Sequence, residues 1–67
     1  MATDTQRAIV RGMLLALSYE LEARAVNLLH MVDTRPYLVD LRPGITEYAE
    51  ALYQDSLYLE RDAEKLD

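Results

Sequence analysis

The 67-residue chain contains one histidine, His30, and no cysteine. No Cys-His arrangement can be assembled from that inventory, no Ser-His-Asp arrangement is proposed on its single histidine, and a thiolate metal site is excluded. The remaining reactive groups are Arg24 with His30, the carboxylate pairs Glu47/Glu50 and Glu60/Glu64, and the string Asn27-Leu28-Leu29-His30. A ferritin-like metal centre requires Glu together with Glu-x-x-His on inward helix faces. Here Asn27 stands where the glutamate is needed. The four glutamates also fall off the apolar stripe of their helix, so they are expected to face solvent. A lone histidine near the end of an apolar helix serves as a C-terminal charge or a partly buried hydrogen-bonding group. Two glycines leave no glycine-rich phosphate loop. No catalytic residue, metal or cofactor is therefore expected.

Two long helices must position whatever these residues do. Thr3, Asp4 and Thr5 offer N-caps, and Gln6 to Val32 holds no proline and a single glycine, which predicts a first helix over about 5–32. Val10, Leu14, Leu17, Leu21, Leu28 and Met31 recur at three-four spacing, with Arg24 as the interruption. Ile9, Met13, Leu15, Ala16, Val26 and Leu29 widen the stripe beyond one seam. A second helix is expected over about 45–65, with Pro43-Gly44 as the preceding turn and Thr46 as its cap. Ile45, Leu52, Leu59 and Leu66 repeat every seven residues, each of the first three followed four residues later by Ala49, Ser56 or Ala63. Leu14, Leu21 and Leu28 stand in the same relation to Ser18, Ala25 and Val32. A row of large residues beside a row of small ones permits close helix packing.

Residues 33–44 read as an extended connection, because both prolines resist helix and Arg-Pro occurs twice around an apolar centre. Two roles are open to it. Tyr37, Leu38, Val39 and Leu41 could fold over the open end of the hairpin, or present an apolar anchor to a partner. Tyr48, Tyr53 and Tyr58, spaced by five, point in different directions, so no common stacking platform is expected.

Size and charge restrict the remaining possibilities. A chain this short builds one domain with a core near the lower limit for independent folding, and without disulfides the natural supplement is oligomerisation. No uncharged stretch exceeds the 8 residues from Gly12 to Tyr19, far short of the roughly 20 that span a bilayer. Glu20 and Glu22 follow too closely for a signal peptide, which favours a cytoplasmic address. The net charge of −5 is concentrated in residues 46–67, where Glu47, Glu50, Asp55, Glu60, Asp62, Glu64 and Asp67 face only Arg61 and Lys65. Such a run is a solvated helix face or a lure for a basic partner.

Three short resemblances can be placed on these residues. Arg24 to His30, Arg-Ala-Val-Asn-Leu-Leu-His, resembles the arginine-to-histidine motif of the HEPN ribonuclease superfamily, with Ala25 where that family has a polar residue. It would imply RNA cleavage by Arg24 and His30 across a helical dimer interface. Ser18-Tyr19-Glu20-Leu21-Glu22 is similar to the Ser-Gln-Glu-Leu-Asp signature of small helical-hairpin phosphatases acting on response regulators. Tyr19 and Glu22 replace its amide and its shorter carboxylate, so that activity is not carried over. In length and topology the chain resembles the Rop-type dimeric hairpin. That likeness implies RNA binding by first helices, with Arg7 and Arg11 doubled across the dimer axis.

The resulting expectation is an all-α antiparallel helical hairpin with a long extended connection, pairing into a homodimeric four-helix bundle. Val10, Leu14, Leu17, Leu21, Arg24 and Leu28 are assigned to the dimer interface. Tyr37, Leu38, Val39, Leu41, Arg42, Tyr53 and Tyr58 are assigned to capture of an unidentified protein partner. The expected function is that of a non-catalytic interaction module, a regulator or inhibitor of a larger protein, with Rop-like RNA binding and HEPN-like cleavage as alternatives. The acidic balance disfavours nucleic acid, and no membrane partner is expected.

Overall fold

The computed structural model describes residues 3–67, and within them the chain is all helical. Helix α1 spans Asp4–Thr34, a 3-10 helix spans Pro36–Leu41, and helix α2 spans Arg42–Glu64. The two long helices pack against each other as an antiparallel hairpin. No helix among the described residues is long and apolar enough to cross a membrane.

Among the three candidate caps, Thr3 starts α1. Its Oγ1 accepts from Gln6 N at 3.1 Å, and Thr3 N donates to Gln6 Oε1 at 2.9 Å, a reciprocal capping box. Asp4 lies in the first turn, where a negative charge complements the helix dipole. At the other end Thr34 Oγ1 donates to His30 O at 3.0 Å. Arg35 then turns extended, at φ −121° and ψ 100°, the conformation that the ring of a following proline favours.

The connection differs from the extended segment read from the sequence. It is helical almost throughout, and α2 begins at Arg42, ahead of Pro43. The reason is positional: both prolines occupy first-turn positions, where the missing N–H has no intrahelical acceptor and the fixed φ suits a helix. Leu38 N donates to Arg35 O at 3.0 Å within this compact link. Gly44 has no positive φ and continues the helix. Thr46 is therefore an interior residue and not a cap; the N-cap is Leu41, with no side-chain hydrogen bond. The connection does not close over the hairpin end either. Tyr37 is 76% exposed, Val39 and Leu41 are exposed too, and only Leu38 is half-buried. A tight 3-10 turn is too short to carry four apolar side chains back across two helix ends.

The buried residues are all small or β-branched. Ser18, Ala25 and Val32 on α1 face Ala49, Ser56 and Ala63 on α2, and among the described residues no large side chain is fully buried. These are the six small-row positions of the two heptad patterns. The hairpin is accordingly a thin layer, 52 × 15 × 12 Å with a radius of gyration of 15.6 Å, against about 11 Å for a compact domain of this length.

Candidate interaction surfaces

The small-residue row is the axis from which every other surface is laid out. Ser18 Oγ donates to Ser56 O across the helices at 2.8 Å, and Ser56 Oγ donates to Tyr53 O at 2.6 Å, so both buried hydroxyls are satisfied. That crossing sets the register: Ala25 comes to Ala49, and both line one depression. Seven residues before Ser18 stands Arg11, and seven before Ala49 stands Arg42. Each end of the row is thus closed by an arginine. Arg42 Nη1 lies 3.0 Å from Asp33 Oδ1, and Arg11 Nε lies 2.7 Å from Asp67 Oδ1. The Arg11 contact is off the N–H axis, an ion pair and not a hydrogen bond. All four side chains keep substantial solvent contact, so each pair contributes at most about 1 kcal/mol.

On one side of that row lie both leucine rows. Leu14, Leu21 and Leu28 each precede a small residue of α1 by four, and Ile45, Leu52 and Leu59 do the same on α2. In antiparallel helices an equal offset projects to the same side, because reversing direction and facing the partner each invert the sense of rotation. Leu28, Met31, Tyr48 and Leu52 indeed line one shallow depression. The leucines, Ile45 and Met31 are half-buried. Val10 and Leu17 lie further out and more exposed, and Met13, 64% exposed, carries the apolar surface around the first half of α1. All six residues assigned to a dimer interface, Val10, Leu14, Leu17, Leu21, Arg24 and Leu28, belong to this side of α1. Arg24 Nη2 donates to Glu20 Oε1 at 2.6 Å, one turn earlier.

The opposite side is different. Val26 and Leu29 from α1 and Glu50 and Tyr53 from α2 wall a depression of about 480 Å³ whose floor is Ala25 and Ala49. Val26 is 200° around α1 from Leu28 at 100° per residue, which separates this groove from the leucine side. Sequence reasoning placed Val26 and Leu29 in a widened stripe but did not see that Tyr53 completes a groove with them.

The residues assigned to partner capture are not gathered into one patch. Tyr37, Leu38, Val39, Leu41 and Arg42 cluster at the closed end of the hairpin, with Arg42 held by Asp33. Tyr53 belongs to the groove. Tyr58 sits beneath Arg61, whose guanidinium carbon is 5.9 Å from the ring centroid. As the five-residue spacing implied, the tyrosines of α2 face three directions.

The chemical candidates are dispersed as well. Six residues put His30 about 120° around the helix from Arg24, and Arg24 is engaged by Glu20. Ser18, the first residue of the phosphatase-like string, is turned inward to Ser56. Among the described residues no group of three or more His, Asp or Glu converges as metal ligands would. Of the two arginines that would form an RNA-binding patch, Arg11 is paired with Asp67, and Arg7 shares its depression with Asp4 and Asp67. The chain matches no protein-family model, and neither the curated proteins nor the solved structures include a significant match to it.

Proposed function

We propose that this chain is a non-catalytic protein-interaction module that works as a homodimer, pairing its leucine sides into a four-helix bundle and acting as regulator or inhibitor of a larger partner protein. One observation carries the reading: an apolar side spans both helices of a hairpin that, among its described residues, fully buries no large side chain. The surface area agrees with it. The chain exposes 5203 Å² at 7.7 kDa, whereas a compact monomer of that mass exposes about 4300 Å². The excess, about 900 Å², is close to the ~800 Å² that each partner contributes to a standard interface. A two-fold axis lying between two such layers and parallel to them covers the leucine rows of each copy with those of the other. Dimerisation then supplies the large-residue core that a single hairpin lacks.

Sedimentation equilibrium over a wide concentration range tests the assembly. The expected mass is twice that of the 7.7 kDa chain, with helix content and mass lost together on dilution or heating. A stable, fully helical monomer at high concentration overturns it.

A further inference from the structure

The groove on the side away from the leucines is the surface left over once the bundle forms, and its chemistry selects a different occupant. Its floor is alanine, Ala25 and Ala49, so a visiting side chain meets helix backbone with little side-chain bulk in the way. Its walls are apolar: Val26 is 59% exposed, and Leu29, Tyr53 and Leu57 remain exposed along the same side. Its charged rim is mostly acidic. At helical spacing Glu22 of α1 and Glu50, Glu60 and Glu64 of α2 project to this side. Among the described residues between the two ends, Arg61 is the one base that falls on this side, seven residues beyond the groove-lining Gln54, and its guanidinium lies against the Tyr58 ring; Arg11 and Arg42 are held by Asp67 and Asp33.

We propose that this groove receives a basic amphipathic helix of a partner protein. The inference rests on reading the chain as a protein-interaction module and names the partner's class. Charge complementarity decides among the occupants. A second copy would bring its own glutamates against these, and nucleic acid would meet the same repulsion. An extended strand would find no open backbone edge, because both walls are helices with internally paired amides. A helix with apolar residues at i, i+3, i+4 and i+7 sets them between Val26, Leu29 and Tyr53, while its flanking lysines or arginines reach Glu22 and Glu50. From Leu29 to Leu15 the groove runs about 21 Å, room for roughly four turns.

The test uses a fluorescein-labelled 18-residue helical peptide of leucine and lysine, patterned with one apolar face. Its leucine-glutamate counterpart and a labelled RNA hairpin serve as comparison probes. Anisotropy titrations against the full chain are expected to show saturable binding of the lysine peptide alone. Glu22→Gln with Glu50→Gln should weaken it at least tenfold, as should Leu29→Ala with Tyr53→Ala. Asp55→Asn with Asp62→Asn removes the same charge from the leucine side and should change binding less than threefold. Equal losses from the two acid pairs, equal binding of the glutamate peptide, preferential binding of the RNA, or no binding of the lysine peptide would each overturn the proposal. Sedimentation of the same samples separates the two readings: a dimer that ignores the lysine peptide refutes the groove alone, and a monomer that binds it refutes the bundle alone.

Discussion

The two sides of this hairpin are made from the same pair of helices and the same heptad, yet they differ in kind. On the leucine side, large aliphatic residues sit four positions before every small one, and charges of both signs, Arg24 with Glu20 and Lys65 with Asp62, pair locally around them. On the groove side the corresponding rows interrupt aliphatic and aromatic residues with glutamates, which outnumber the single base there, Arg61. A side that is apolar and charge-balanced is compatible with a copy of itself; a side that is apolar and predominantly acidic is much less so. On the proposed reading, one short chain separates self-association from partner recognition by the order of residues within a single repeat.

The sharpest way to break that contrast is a matched pair of charge insertions. Leu17→Glu places a carboxylate in the proposed dimer core of both copies, and the dissociation constant should rise at least a hundredfold, about 3 kcal/mol or more, as read by sedimentation. Val26→Glu, at a similarly exposed apolar position of the groove side, should leave the mass unchanged. If both variants, or neither, dissociate the dimer, the two sides are not functionally distinct.

A smaller effect is expected from the shared axis. Ala49→Leu forces a large side chain between closely approaching helices and should cost about 1–3 kcal/mol in urea denaturation. It should also fill the groove floor, lowering affinity for the lysine peptide beyond what instability explains. Ser18→Ala removes the cross-helix hydrogen bond while preserving shape, with Ser56 O still used by its own helix. A loss of about 1 kcal/mol is expected, with no change in mass. The smallest effect belongs to the ends: a double-mutant cycle on Arg42 and Asp33 should give a coupling of about 0.2–1 kcal/mol that fades at high salt.

The layout of the packing was legible in the sequence because heptad spacing ties residue type directly to direction. Leu14-Ser18, Leu21-Ala25 and Leu52-Ser56 announced both the large and the small rows, and the small rows are the ones buried. The connection was misread because proline was weighed only as a helix breaker. Pro36 and Pro43 each lie in the first turn of a helical segment, where proline is favoured, and Arg42 consequently belongs to α2 and not to a loop. The arginine clamps were present as signals, since Arg11 and Arg42 extend the small-residue rows by one heptad. Their partners Asp67 and Asp33 depend on the register set by Ser18 and Ser56, which no local pattern specifies. The groove was hidden for the same reason: Tyr53 is far from Val26 and Leu29 in sequence and meets them only when the two helices are aligned.

The most direct measurement is an isotope-filtered NOE experiment on a mixture of ¹³C-labelled and unlabelled chains, which reports contacts between copies only. The account predicts intermolecular NOEs from the methyl groups of Leu14, Leu17, Leu21 and Leu52, and none from Val26 or Leu29. An absence of intermolecular NOEs at millimolar concentration, or their appearance at Val26 and Leu29 in place of the leucine rows, would contradict it.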